Sequence, residues 1–213
     1  MKTVVLTTDD LSYAADVIMG GGLVAVPTDT VYGLAGNGLN HEAIAKIYEV
    51  KGRPMVKPII LLISDVSVAH TFCKTVPEAA LRLAYAFWPG ALSLVLQKSD
   101  LVPDIVTAGG GTVGIRSPNH PKALELLRLT GVPLAAPSAN ITDMPSPKNA
   151  EDVLRYFDGK IDCVIDGGEC SVGFESTIVD LTVEPYRIVR HGALQDEEIF
   201  QVLRDSIGGY QGV

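Results

Sequence analysis

Apolar residues in this chain fall into short blocks broken by polar, proline and glycine positions, and the spacing inside each block predicts an element. Leu11, Ala14, Ala15 and Ile18 recur at helical spacing behind Asp9 or Asp10 as cap, and Gly20 to Gly22 close that helix. Leu23 to Val26 form an unbroken apolar run that reads as a strand, stopped by Pro27, which donates no ladder hydrogen bond. Ile44, Ile47 and Tyr48 predict a second helix, capped by Asn40 and ended by Gly52 and Pro54. The segment "PIILLI" predicts a strand buried on both faces. A helical pair from Ser64 to Trp88 leads through Pro89-Gly90 to a strand at 91–97, followed by a short strand "TVGIR" at 112–116. Further on, a helix at 122–130 precedes "VPLAA" and one at 149–157 precedes "IDCVID". "STIVDL" and "YRIVR" read as a late strand pair before a final helix near 195–206, and the tail "GGYQGV" is expected to fray.

This alternation implies an α/β domain with a largely covered, mixed sheet, because the last two strands are joined too briefly for a parallel crossover. With 213 residues and 47% hydrophobic content, one domain over 1–213 can bury a sizeable core without disulfide staples. No interdomain linker, repeat or low-complexity tract interrupts it. The longest apolar runs are too short for a bilayer, and Asp9, Asp10 and Asp16 occupy the place of a secretory core, so a soluble, unexported chain is expected. Cys73, Cys163 and Cys170 include no CxxC pair and fit packing or surface roles in a reducing compartment. The formal charge of -8, from 25 acids and 17 bases, argues against nonspecific binding to a nucleic-acid backbone. Any polyanion must be held locally, which makes clusters of base informative.

The densest such cluster is "KGRPMVKP", where Lys51, Arg53 and Lys57 fall within seven residues while Pro54 and Pro58 block a helix. An extended loop can converge the three cations on a phosphate, and the alternative is three solvated loop cations. In "TVGIR", the strand period puts Thr112, Gly114 and Arg116 on one face and Val113 and Ile115 on the other. Arg116 at a strand end suits a bidentate carboxylate clamp, or else pairs with a structural carboxylate. After the strand at 24–26 come the hydroxyls of Thr28, Thr30 and Tyr32, and "APSAN" repeats this arrangement with Ser138 and Asn140. Ser146 stands between two prolines, Ser176 and Thr177 open the strand after "GFE", and Arg190 ends the strand after that. Each serine or threonine alone reads equally as a turn residue. The chain carries no GxxxxGK[ST] loop, GxGxxG turn or GxSxG elbow, and its four histidines lack metal-ligand spacing. No nucleophile stands beside a base, so catalysis here would rest on positioning and charge neutralisation.

Taken together, "PTDTVYGL", "KGRP", "TVGIR", "PSAN", the "SP" after it and "ESTIVD" with its following Arg resemble the threonylcarbamoyl-AMP synthase family, the YrdC-type domain. The order and spacing match from about residue 10 to residue 200. The resemblance implies a single-domain YrdC-like twisted open mixed sheet, with helices packed on it and a concave ligand-binding hollow. It implies a nucleotidyltransferase that makes L-threonylcarbamoyladenylate and pyrophosphate from ATP, L-threonine and bicarbonate, toward threonylcarbamoyladenosine at tRNA position 37. ATP contacts implied are Lys51, Arg53, Lys57, Thr112, Ser138, Asn140, Ser146 and Arg190, with Lys51 and Arg53 neutralising charge on the phosphates. Threonine contacts implied are Thr30, Arg116, Ala136 and Ser176, with Thr28 and Tyr32 lining the same hollow. Mg2+ is expected to arrive with ATP, without dedicated protein ligands. The product is expected to pass to a tRNA threonylcarbamoyl transferase complex in the cytoplasm, with no membrane partner. Leu62 departs from a histidine of some longer relatives, and the second domain of those relatives is not expected here. Two rival readings stay open: a carbamoyl-adenylate-forming module of the carbamoyltransferase type, which needs no threonine, and an RNA-binding module of the same fold, which would bind tRNA directly.

Overall fold

The structure is a computed structural model and describes residues 2–7 and 10–204. The chain opens with β1 (Val4–Leu6), α1 (Leu11–Met19), β2 (Val24–Val26), β3 (Gly33–Asn37), α2 (His41–Lys51) and β4 (Leu61–Leu62). A 3-10 turn at Val66–Val68 leads into α3 (Ala69–Phe72) and α4 (Glu78–Phe87), then β5 (Leu92–Gln97) and β6 (Thr112–Arg116). The remainder is α5 (Pro121–Thr130), β7 (Leu134–Ala135), α6 (Ala150–Phe157), β8 (Cys163–Ile165), β9 (Thr177–Asp180), β10 (Arg187–Arg190) and α7 (Asp196–Arg204). Among the described residues the strands run in the order β1-β8-β2-β3-β7-β4-β6-β5-β9-β10. Parallel pairs (β1 with β8, β4 with β6, β5 with β9) and antiparallel pairs (β2 with β3, β5 with β6, β9 with β10) make the sheet mixed.

Both faces of the sheet are covered, which explains the unbroken apolar runs. Leu23 and Ala25 enter one core with Ile44 and Ile47 of α2, while Val24 and Val26 enter a second with Ile18 of α1 and Leu126 of α5. In "PIILLI" the same division sends Leu61 and Ile63 to the first core and Leu62 to the second. The strand proper shortens to two residues, but its flanks are still tied, by Ile59 N to Val106 O and Ile63 N to Arg116 O. Each fully buried Ile or Leu contributes about 1.5–3 kcal/mol, so these two cores fix the sheet from which the loops project.

Two strands escape the periodicity. β1 is three residues long, with Val4 and Val5 exposed at the sheet edge, too brief to signal itself. β3, "GLAGN", carries glycines that read as turn signals yet serve close packing: a Cβ at Gly36 would lie 3.2 Å from Leu23 Cδ2 and 3.4 Å from Ile47 Cδ1. Consequently "PTDTVY" is the connection of an antiparallel hairpin, in which Val26 pairs with Gly33 and Val24 with Ala35.

The helix ends agree with the cap chemistry in part. Asn40 Oδ1 accepts from Glu42 N at 2.9 Å and Ala43 N at 3.1 Å, a cap worth about 1 kcal/mol. Asp10 sits at the N-cap of α1 but turns back, its Oδ2 accepting from Thr7 N and Thr7 Oγ1. Asp9, the end of the predicted last helix beyond Arg204 and the "GGYQGV" tail lie outside the described residues. Gly52 closes α2 in the left-handed region at φ 58°, and this turn separates Lys51 from Arg53.

Candidate active site

The hairpin connection, β5, β6, the segment after β7, the start of β9 and the end of β10 enclose a hollow of about 270 Å³. Thr28, Thr30 and Tyr32 line it from the hairpin, Thr112, Gly114 and Arg116 from β6. Ala136 and Ser138 enter after β7, Ser176 and Arg190 from the last strand pair, and Arg53 from the loop after α2. The period-two reading of "TVGIR" therefore describes β6 correctly: Val113 and Ile115 are buried in the core while the alternate positions face the hollow.

Arg116 is almost wholly buried and fully engaged along one edge. Its Nε donates to Gly90 O at 2.8 Å, Nη1 to Thr30 Oγ1 at 2.7 Å and Nη2 to Asp29 Oδ1 at 2.5 Å. Burial pulls the guanidinium pKa down and the adjacent Asp29 opposes that. Of the two roles open to this residue, the structure shows pairing with a carboxylate of the chain; two of its five N–H bonds remain uncommitted. Asp29 Oδ1 also accepts from Asn119 N at 3.0 Å.

Proton counting fixes what Thr30 offers. Thr28 Oγ1 donates to Val31 O at 2.7 Å and accepts from Thr30 N at 3.1 Å, so the 3.0 Å contact between the two threonine hydroxyls has Thr30 as donor. Thr30 Oγ1 has then spent its proton and taken one from Arg116, and its remaining lone pair can only accept. Tyr32 is a pin: its OH donates to Gly168 O at 2.8 Å and accepts from Gly167 N at 3.0 Å, and burial pushes its pKa up to about 12.

The cation cluster departs from the expected convergence. Lys51 is still the last residue of α2, and its Nζ turns inward, donating to Ser138 O at 2.5 Å, Asn140 O at 2.6 Å and Asn140 Oδ1 at 3.3 Å. It does not line the hollow. Burial, and then the nearby Arg53 charge, draw its pKa down to about 7, whereas three oxygen acceptors match the three donors of an ammonium. Arg53 does reach the hollow, with Nε donating to Lys57 O at 3.1 Å and Nη2 to Pro58 O at 2.7 Å. Lys57 stays outside, half-exposed and 3.7 Å from Asp143 Oδ1. The reason is the helix, which runs one residue into the motif and splits it at Gly52.

Asn140 and Ser146 also stand behind the wall. The Asn140 side chain takes Ser138 Oγ at 2.6 Å and gives its amide to Met144 O at 2.5 Å, which braces the loop. Ser146 Oγ donates to Glu175 Oε1 at 2.5 Å, and this bond holds the Glu175 carboxyl below its usual range despite burial. Glu175, Ser93 and Asp29 are the site residues that sequence reasoning passed over. Ser93 Oγ lies 2.8 Å from Ser176 Oγ, which in turn accepts from Arg190 Nη2 at 2.9 Å. Ser93 is wholly buried within the strand "ALSLVLQ".

The cysteines are buried and free, and burial pushes Cys73 and Cys163 up to about 12 and Cys170 to about 11. Among the described residues no three His, Cys, Asp or Glu side chains cluster as metal ligands, and no helix is long and apolar enough to cross a membrane.

A mixed sheet covered by helices, with a hollow lined by arginines and hydroxyls, makes this an α/β protein with a polar, arginine-bearing cleft. The chain belongs to the Sua5/YciO/YrdC family, whose profile, described as "Telomere recombination", matches residues 16–192. It is 49% identical over 190 residues to the threonylcarbamoyl-AMP synthase of Pyrococcus abyssi, covering 89% of this chain and 56% of that protein. With the threonylcarbamoyl-AMP synthase of Bacillus subtilis it shares 44% identity over 201 residues, 93% of this chain and 58% of that one. The chain thus spans a little over half the length of these relatives. The crystal structure of P. abyssi Sua5 complexed with L-threonine superposes with a TM-score of 0.92 at 45% identity, covering 95% of this chain and 61% of that one.

Proposed function

We propose that the chain makes L-threonylcarbamoyladenylate from ATP, L-threonine and bicarbonate with release of pyrophosphate. Two relatives bearing the synthase name and a neighbour solved with L-threonine support this reading. The observation that carries it is one hollow that holds both a carboxylate-paired Arg116 beside Thr30 and Ser176 and an Arg53 that forms no ion pair among the described residues.

In this reading the two uncommitted N–H bonds of Arg116, with Ser176 beside them, receive the threonine carboxylate, and the free lone pair of Thr30 Oγ1 accepts a hydrogen bond from the substrate amine. The amine nitrogen forms a bond to the carbon of bicarbonate and water leaves, giving a carbamate. A carbamate oxygen then attacks the α-phosphorus of ATP as the bond to the pyrophosphate oxygen breaks. Arg53 and Arg190 neutralise the phosphates, with Thr112 and Ser138 as hydroxyl partners. Lys51 adds charge from behind and holds the 138–140 loop; reaching a phosphate would require giving up one of its three oxygens. Asn140, Ser146 and Lys57 support the same end through loops. Among the described residues Glu175 is the only carboxylate that lines this hollow, so the residues fit a Mg2+ carried on phosphate oxygens, where it would spread the charge of the leaving pyrophosphate. The labile product is proposed to pass to a tRNA threonylcarbamoyl transferase complex in the cytoplasm for modification of tRNA position 37.

The test is pyrophosphate release with ATP, L-threonine and bicarbonate, each omitted in turn. Release should need all three. Equal release without threonine would overturn the reading in favour of a carbamoyl-adenylate-forming module.

A further inference from the structure

The cations of the hollow differ in what neutralises them. Arg116 and Asp29 are each about 5% exposed and meet at 2.5 Å, so that end holds a closed ion pair. Asp29 does not line the hollow; it stands behind Arg116, fixed by Asn119 N and by the bonds its own carbonyl accepts from Val172 N and Ser171 Oγ. Arg53, by contrast, donates to two backbone carbonyls and interacts with the uncharged Tyr48 hydroxyl, and Arg190 donates to the carbonyl and hydroxyl of Ser176. Among the described residues neither forms an ion pair, although the Glu175 carboxylate, which lines the hollow and is kept ionised by its bond from Ser146, offsets Arg190 in part. Arg53 and Arg190 also feel one another, and Lys51 adds to the same side. Arg190, on Ser176 and felt by both Arg116 and Arg53, stands between the two, so the hollow runs from the neutral Arg116–Asp29 pair through Arg190 to an Arg53 that forms no ion pair among the described residues.

We propose that Asp29 is a specificity-determining residue: by neutralising Arg116 it reserves that end for a single carboxylate and directs polyphosphate to the Arg53 and Arg190 end. The proposal rests on the reading of the hollow as a shared amino-acid and nucleotide site. A neutral pair with two spare N–H bonds offers directional hydrogen bonds to a carboxylate but no net attraction for a multiply charged anion, whereas an unpaired guanidinium offers both. Without Asp29 the hollow would hold Arg116 as a further arginine with no carboxylate on it, and polyphosphate could occupy either end.

Calorimetric titration with inorganic pyrophosphate and with L-threonine tests this on the wild type and on Asp29→Asn, which keeps an acceptor oxygen for Arg116 while removing the charge. In the wild type, pyrophosphate and L-threonine should bind together without displacing one another. In D29N, pyrophosphate should bind about tenfold tighter or with a second equivalent, and should now displace L-threonine. A gain of affinity cannot come from a loosened fold. Identical pyrophosphate binding by the two proteins would overturn the proposal, as would displacement of L-threonine by pyrophosphate in the wild type, a measurement that decides the matter even where D29N does not fold. If the wild type takes no L-threonine, the proposed function fails, and the pyrophosphate comparison still decides the role of Asp29.

Discussion

The segments 112–116 and 51–58 both bring an arginine to one hollow, and they are built on opposite plans. β6 is a central strand, paired on both sides, and its Arg116 is buried, hydrogen-bonded on three nitrogens and neutralised by Asp29. The loop after α2 is stiffened by Pro54 and Pro58, carries exposed Met55 and Val56, and holds Arg53 by carbonyls of its own turn and the Tyr48 hydroxyl, with no carboxylate partner among the described residues. A charge fixed in the sheet is committed to structure and presents directional hydrogen bonds. One carried on a loop keeps its net charge for an incoming anion. The cost of removing each should differ accordingly.

The largest effect is expected at Arg116. Arg116→Ala leaves Asp29 buried without its partner and should destabilise the fold by about 3–5 kcal/mol, read from urea unfolding. Arg53→Ala should cost no more than about 1 kcal/mol, since it releases hydrogen bonds to a loop. Similar losses at both sites would break the comparison. Lys51→Met comes next: the oxygens of Ser138 and Asn140 lose their donor, for about 3 kcal/mol. A loss of activity without loss of stability in that variant would instead mark Lys51 as a direct phosphate contact.

Two smaller effects sharpen the picture. In the proposed synthesis, L-serine should be poorer than L-threonine by about 1–3 kcal/mol in kcat/KM, the value of a packed methyl group, and equal rates would show that nothing grips that methyl. The Lys51 ammonium adds a pH effect. Its pKa falls from 10.5 to about 7 on folding, so between those values the unfolded chain binds more protons and stability rises with pH. The burial penalty is fully present below about pH 7 and is relieved toward pH 10.5. The stability difference between wild type and Lys51→Met should therefore widen as pH is raised from 7 to 9. A flat difference would mean that the three oxygens keep the ammonium charged.

How much of this was legible in the sequence follows from the same contrast. The face of β6 was readable because a strand has a fixed period, so the positions of Thr112, Gly114 and Arg116 followed from "TVGIR" alone. The loop cations were not, because three charges in eight residues do not state where a helix stops. Gly52 in the left-handed turn sends Lys51 under the 138–140 loop and Arg53 into the hollow, and Lys57 is left to Asp143. β3 was hidden for a related reason: Gly36 sits tightly against Leu23, and a strand that carries two glycines looks on paper like a turn. Asp29, Ser93 and Glu175 were invisible as site residues because their partners Arg116, Ser176 and Ser146 lie 29 or more residues away in sequence.

The central claim is that one hollow has two ends with separate duties, and calorimetric titration of Arg53→Ala with ATP and with L-threonine tests it most directly. This variant should keep the fold, and it removes one of the hollow's two arginines that form no ion pair among the described residues. The account predicts that ATP affinity falls by about tenfold or more while L-threonine binds as it does to the wild type. Unchanged ATP affinity with weakened L-threonine binding would contradict it and reverse the two ends.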